Sequence, residues 1–350
     1  MYINDNNKKN YEYLFSLKMM ILSNICAILV VFIHAYNIDT YNVNNFFIEN
    51  FEIFISKFLG QIAVPFFFIS SAFWTYSKKR KLRSFFKNKF RSLVIPYLLW
   101  NLFYMVFFAA FSYVGLANFE IPTNFYSIIE GLVLYKYNYA FWFMFHLIIF
   151  TLFYPIINKI IEKYNIAIMT LVCVFIVYTI IGNIPVGIYV IKSDALLYYL
   201  VGAILGRYYK QKLQYLCNNF KGKINVILSS FFISIILFYL KAVNNECLII
   251  GRFMDVLSAL FLIITVFLTI DYIIVKDIDK NILCYSFFVY CLHTLILESI
   301  EKMIYTILPK TDLIALMSYI LSPIVTLFII VLIGVVFKNK YVFKVLNGNR

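Results

Sequence analysis

The sequence predicts an all-α, polytopic membrane helix bundle of about ten transmembrane helices with both termini in the cytoplasm, and three observations carry that prediction. Hydrophobic residues make up 63% of the 350 and charged residues 14%, with a mean hydropathy of +0.84, which leaves a water-soluble fold too little polar surface. Apolar windows of bilayer length follow one another at roughly 19–38, 53–76, 92–116, 139–158, 166–183, 194–209, 224–243, 251–275, 281–304 and 313–337. The connecting segments alternate in charge: with the N-terminus inside, 24 of the 31 Lys and Arg residues fall in or beside inner segments and 6 in outer ones.

No Gly/Ser/Pro-rich linker divides the chain, so residues 1–350 read as a single membrane domain with short cytoplasmic tails at 1–18 and 338–350. The six cysteines are scattered without a C-x-x-C pair, which points to neither a disulfide framework nor a zinc site, and no metal is expected. The net charge of +14 follows from the asymmetry of the loops, so it is read as a contact with membrane lipid and not as a nucleic-acid footprint. A composition rich in Ile, Lys, Asn, Tyr and Phe fits a low-GC bacterium, and the expected location is a bacterial cytoplasmic membrane.

The first window, Met19 to Ile38, carries no charge and ends in His-Ala-Tyr-Asn without a small-residue cleavage site, so it is expected to be a retained helix and not a signal peptide. Ser23, Ala27, Val30, His34 and Asn37 recur at helical steps and draw a narrow polar stripe up one face. An ionisable residue at membrane depth is costly and usually lines a protein interior or a wet cavity, which makes His34 the first candidate for chemistry. The alternative is a neutral histidine bonded to a neighbouring helix. Between the second and third windows lie Lys78, Lys79, Arg80, Lys81, Arg83, Lys87, Lys89 and Arg91. This cluster either holds the loop against anionic lipid or cradles the phosphates of a cytoplasmic donor; Arg91 at the membrane edge suits the second role best, with Lys89 and Lys87 beside it.

The outer segment 117–138 contains the apolar run SIIEGLVL and is expected to include a short interfacial amphipathic helix. The fourth window opens with Trp142 at its outer boundary, where aromatic residues form a belt, and sets His146 one turn deeper. The sixth, Asp194 to Tyr209, is short, carries Gly202 and Gly206, and reads as tilted or partly re-entrant. The fifth, seventh and tenth read as scaffold. In the eighth, Arg252 and Asp255 stand three residues apart and are expected to pair on one face. The ninth sets His293 near mid-membrane, with Tyr290 and Thr294 on the same side and Glu298 a turn or more further out. All three histidines of the chain thus fall within predicted spans.

Taken in order, several motifs resemble one family. Val64-Pro65-Phe66-Phe67 leading to Ser70 and Ser71, then Arg91 followed by Pro96-Tyr97, then Trp142-Phe143 with Pro155, then Gly202, Gly206 and Arg207, and finally Ser286-Phe287, Tyr290 and His293 are similar to the integral-membrane acyltransferase family numbered three, which includes O-acetyltransferases of surface polysaccharides. The likeness runs through most of the chain. It implies transfer of an acyl group, acetyl or succinyl, from cytoplasmic acyl-CoA, with acetyl-CoA the expected donor, to a hydroxyl of a surface glycan or its lipid-linked precursor. On that reading His34 is the general base, His146 and His293 orient the acceptor or donate to the oxyanion with Tyr290, and Arg91, Lys89 and Lys87 hold the CoA phosphates. One departure is plain: eleven residues before His34 the family has Arg, and here stands Ser23, which cannot be charged. Lys18 lies about a turn and a half further inward and about 140° around the helix. Two other readings use the same residues: a flippase or exporter of a saccharide or small polar solute, with the histidines as ligands or proton relays, or a non-catalytic relative in a glycan-assembly complex or homo-oligomer.

Overall fold

A computed structural model describes residues 5–113, 122–186, 189–219, 222–244, 246–273, 285–337 and 341–348. We label the helices that carry the bundle α1 (Asp5–His34), α2 (Ala63–Tyr76), α3 (Ile95–Tyr113), α4 (Trp142–Leu152), α5 (Tyr164–Ile181), α6 (Ser193–Ile204), α7 (Lys223–Val243), α8 (Leu248–Ile273), α9 (Ser286–Ile307) and α10 (Asp312–Phe337). Strand structure among the described residues is confined to one antiparallel pair, Ile184–Val186 with Tyr189–Ile191. The protein is an all-α, multi-pass membrane bundle.

Seven helical runs among the described residues are long and apolar enough to cross a membrane, and the bent pair Tyr139–Leu152 with Tyr154–Ile161 makes an eighth. The 68° bend falls at Phe153, just ahead of Pro155, whose ring removes a backbone donor from the first turn that follows. The sixth and ninth windows, now α6 and α9, do not meet that measure: α6 has only twelve residues, and every bilayer-length stretch of α9 includes Glu298, Glu301 and Lys302. All of α9 from Phe287 to Thr294 is buried, as are eight of the twelve residues of α6. A helix wrapped in protein needs no continuous apolar coat. Residues 281–284 of the ninth window lie outside the described residues.

The tail expected at 1–18 is replaced, from Asp5 onward, by the first turns of α1, and Phe15, Leu17 and Lys18 are buried there. At the other end Tyr341–Leu346 is a short helix with Phe343 buried, while 338–340 and 349–350 lie outside the described residues. The interfacial helix expected near SIIEGLVL is present as Phe125–Val133, started by a capping box between Asn124 and Ser127; residues 114–121 lie outside the described residues.

Close packing of α6 on α2 sets the centre. A Cβ on Gly202 would stand 2.1 Å from the Ile69 carbonyl oxygen and one on Gly206 2.3 Å from that of Phe73, so the two backbones touch where only hydrogen fits. Three π-helical turns, Ile53–Leu59, Phe90–Val94 and Leu205–Tyr209, interrupt the runs leading into α2, into α3 and out of α6. Such turns often mark functional regions, and here the second holds Arg91 and the third Gly206.

The expected Arg252–Asp255 pairing does not form, and each residue takes another partner. Asp255 takes Lys241 at 2.5 Å across the α7–α8 hairpin, while Arg252 donates to the carbonyls of Thr179 and Ile180 at 3.2 and 3.0 Å, satisfying the C-terminal end of α5. Neighbours three apart on one helix lose to groups presented by other helices. Lys18 is buried in an ion pair with Asp271 at 2.6 Å, which Lys223 shares at 2.8 Å.

Candidate active site

His34 is the last residue of α1, and its half-buried ring meets two others. The His293 ring centre lies 5.1 Å away, and the Tyr139 hydroxyl lies 3.1 Å from His34 Nδ1. These side chains come from three separate elements: the end of α1, the middle of α9, and the 3-10 turn Tyr139–Phe141 that leads into α4. The turn is fixed at both of its faces. Asn138 accepts from the Ala140 N–H at 3.0 Å, and Tyr290 of α9 donates its hydroxyl to the Ala140 carbonyl at 2.5 Å. From the other side Tyr104 of α3 donates to the Cys291 carbonyl at 2.8 Å and contacts Thr294 at 3.1 Å. Position 293 is therefore held by tyrosines on two sides.

The tautomer of His293 follows from its bonds. Nδ1 faces the carbonyls of Tyr290 at 2.8 Å and Val289 at 3.2 Å, and carbonyls only accept, so the ring proton sits on Nδ1. Nε2 then carries the lone pair. The residue is fully buried, and Nε2 has no partner among the described residues. On the far side of His34, the Tyr139 hydroxyl also interacts with the carboxylate of Glu298, further along α9. If Tyr139 donates to that carboxylate, its oxygen accepts from His34 Nδ1–H, and the His34 lone pair is then on Nε2.

Cavities lie on either side of this group, and neither His34 nor His293 is among the residues that line them. The first, about 420 Å3, is on the side of the basic 78–91 segment and is lined by Ser23, Ser70, Ser71, Ser286, Lys89 and the ring of Tyr290, among aromatic and aliphatic side chains. The second, about 240 Å3, is on the opposite side and is lined by Asn37, Tyr41, Glu298, Glu301 and Tyr305. A chain of side-chain contacts joins them: Tyr290 lies 6.2 Å from His293 between ring centres, His293 meets His34, His34 meets Tyr139, and Tyr139 meets Glu298.

The residues singled out from the sequence divide accordingly. His34 and His293 come together. His146 does not join them: its Nδ1 faces the Trp142 carbonyl at 2.7 Å and its Nε2 accepts from the Lys192 N–H at 3.1 Å, so both nitrogens are committed to backbone. Tyr290 borders the first cavity, yet its hydroxyl is committed to Ala140, which corrects the expectation that it donates to a reacting group. Of the three cations, Lys89 alone lines the first cavity. Arg91 and Lys87 are exposed and, with Lys89, border a separate apolar groove of about 550 Å3 walled by Phe86, Phe90, Ile148 and Leu152. The π-helical turn at Phe90–Val94 is where Lys89 and Arg91 part company. Ser23 does line the first cavity, its hydroxyl bonded back to the Met19 carbonyl at 2.8 Å, whereas Lys18, tied to Asp271, does not replace the absent arginine.

Tyr139 was not legible as a site residue. It sits one turn before a helix in a segment whose aromatic residues read as a boundary belt, and only the folded contact between the start of α4 and the end of α1 reveals it. Its aromatic neighbour Trp142 packs edge-on to His146, at 5.7 Å between ring centres.

Comparison with known proteins gives one match. Residues 25–338 fit the family described as an acyltransferase domain, the third of the acyltransferase families. No curated protein and no solved structure matches the chain.

Proposed function

Because this chain belongs to the third acyltransferase family, whose match covers nearly all of it, we propose that it moves an acyl group, acetyl or succinyl, from cytoplasmic acyl-CoA to a hydroxyl of a surface polysaccharide or its lipid-linked precursor. The observation that carries this reading is the imidazole pair set between a hydroxyl-lined cavity bordered by Lys89 and a second cavity on the opposite side of the bundle. A membrane acyltransferase needs such a path, since its donor is made on one side and its acceptor waits on the other.

In this mechanism the thioester enters through the first cavity, with Lys89 against a CoA phosphate and the serine hydroxyls along the pantetheine. Arg91 and Lys87 meet the donor or anionic lipid at the membrane surface. The acceptor hydroxyl approaches His34 from the second cavity. His34 Nε2 takes its proton as the oxygen attacks the thioester carbonyl; the C–O bond forms, the C–S bond breaks, and the proton passes to the departing CoA thiolate. Tyr139 and Glu298 hold the His34 ring in the tautomer that leaves Nε2 free. His293, its own tautomer fixed by the Tyr290 carbonyl, orients the acceptor. Localisation in a bacterial cytoplasmic membrane, with the first cavity facing inward, belongs to the same reading.

The test is direct. Purified protein in lipid nanodiscs is expected to bind radiolabelled acetyl-CoA and to release CoA when glycan is supplied, and polysaccharide from a deletion strain is expected to lack an acetyl or succinyl mass. Protein that binds no acyl-CoA, beside a surface glycan of unchanged mass, would favour transport of a saccharide through the same polar route.

A further inference from the structure

The second cavity is unlike the first in what its walls lack. Asn37 is 6% exposed and Tyr41 5% exposed; Asn37 uses its amide N–H groups on the Ala315 carbonyl at 3.2 Å, and its backbone N–H on Glu52 at 3.3 Å. Its side-chain oxygen, Oδ1, has no partner among the described residues. The Tyr41 hydroxyl and Glu301 Oε1 are in the same condition, and all three residues line the one cavity. A buried polar atom left without a partner costs about 1–3 kcal/mol, so three in one small cavity mark a place built for something that donates hydrogen bonds.

The chemistry of that something is constrained. Asn37 Oδ1 only accepts, and Glu301 keeps an accepting oxygen in either protonation state. The Glu298 and Glu52 carboxylates both lie close enough to repel charge on Glu301. Opposing cations sit at the edges: Lys302 is exposed on the rim, Lys57 lies over the ring of Tyr36 at 4.3 Å, and Lys310 lies over that of Tyr305 at 4.0 Å. Two phenol rings, Tyr41 and Tyr305, meet edge to face at 5.7 Å and supply apolar surface to the wall. At about 240 Å3 the cavity falls below the roughly 300–1,000 Å3 of sites for drug-sized ligands, so it admits a ligand of about one ring.

We propose that this cavity is the seat of a single non-anionic sugar ring, neutral or bearing an ammonium group, held through its hydroxyl or amine hydrogens by Asn37 Oδ1, Tyr41 Oη and Glu301 Oε1 and closed to acidic sugars. The assignment rests on the acyltransferase reading in so far as this ring is the acceptor, and it deepens that reading by naming the charge class of the acceptor. Glu298 links the two: it lines the cavity and meets Tyr139, which meets His34, so two side chains connect the seat to the imidazole.

Saturation-transfer NMR on the full-length protein in nanodiscs, without any acyl donor, tests the assignment with methyl glucoside, glucosamine and glucuronate as probes at equal concentration. Methyl glucoside or glucosamine is expected to receive saturation at least fivefold more strongly than glucuronate. Tyr41→Phe, which removes only a hydroxyl, is expected to weaken the favoured probe severalfold. Glu301→Gln keeps an accepting oxygen and is expected to spare methyl glucoside while reducing glucosamine, which separates the neutral from the ammonium-bearing ligand. Equal signals from glucuronate and methyl glucoside, or no signal from any of the three, overturn the proposal, as does binding indifferent to both Tyr41→Phe and Glu301→Leu. Labelled acetyl-CoA bound by the same sample keeps the two readings apart: sugar without acetyl-CoA leaves the cavity assigned and removes the transfer reaction, and acetyl-CoA without sugar does the reverse.

Discussion

The α7–α8 seam and the α1–α9 seam both carry polar side chains between membrane helices, and they treat them in opposite ways. Along α7–α8, Ser234 and Ser258 each donate to the other's backbone carbonyl at 3.0 Å, and Ser230 meets Thr265 at 2.8 Å. Every hydroxyl there is closed on a neighbour, and the ladder ends at the Lys241–Asp255 pair. Along α1–α9 the histidine rings meet without closing: among the described residues His293 Nε2 has no partner, nor, beyond the end of α1, has Asn37 Oδ1. Satisfied polar groups in a low-dielectric seam act as glue between helices, whereas unsatisfied ones cost stability that packing elsewhere must offset. The difference teaches where to look for chemistry: in the seam whose hydrogen bonds are incomplete.

The largest expected effect breaks or upholds that distinction outright. His34→Ala is expected to lower acyl transfer by about 10²–10⁴-fold, the usual worth of a general base, with the protein still inserted and folded. Ser258→Ala, in the closed seam, is expected to leave transfer unchanged. The check is turnover of labelled acetyl-CoA by equal amounts of monodisperse protein, and similar losses from both substitutions would remove any functional meaning from the open bonds.

A smaller effect sharpens the comparison by adding a seam with no polar side chains at its closest approach. Gly202→Ala sets a methyl group 2.1 Å from the Ile69 carbonyl oxygen, so α6 and α2 must move apart. Overpacking of this kind costs about 1–3 kcal/mol, and the expected outcome is a lower unfolding temperature in detergent. Because Ser70 and Ser71 on α2 line the first cavity, weaker acetyl-CoA binding is expected to accompany it. Unchanged stability would mean that the close approach is not what holds the two helices.

How much of this was legible beforehand depends on what kind of information each feature needs. The bundle itself was, because length and hydropathy are local properties, and α1 and α9 were marked by histidines whose burial in lipid would be costly. The Ser23 position was placed correctly on the polar stripe, and it does line the first cavity. His146 looked identical to His34 in the sequence, since both sit within apolar windows; what separates them is that a neighbouring hairpin offers the Lys192 N–H to one ring and nothing comparable to the other. Arg252 and Asp255 looked like a pair because i, i+3 spacing is visible in one dimension, while the competing Lys241 and the open end of α5 are brought in only by folding. Tyr139 carried no signal at all, being one aromatic among many in a chain that is 20% aromatic.

The smallest effect bears on the closed seam alone. In a membrane the unfolded reference state also finds partners for a serine hydroxyl, so an interhelical hydrogen bond contributes far less than the cost of burying an unpaired group suggests, about 0.6 kcal/mol on average. A double-mutant cycle with Ser234→Ala and Ser258→Ala isolates the term the two hydroxyls share: they stand 3.1 Å apart, and either can turn its one proton from the facing carbonyl to the other's oxygen. The expected coupling is about 0.6 kcal/mol, read from unfolding in mixed micelles, with each single substitution leaving acyl transfer intact. A coupling near zero would assign the seam to apolar packing between α7 and α8. One of several kcal/mol would mean that these serines sit in a network as demanding as that around His293, and the contrast between a closed and an open seam would lose its force.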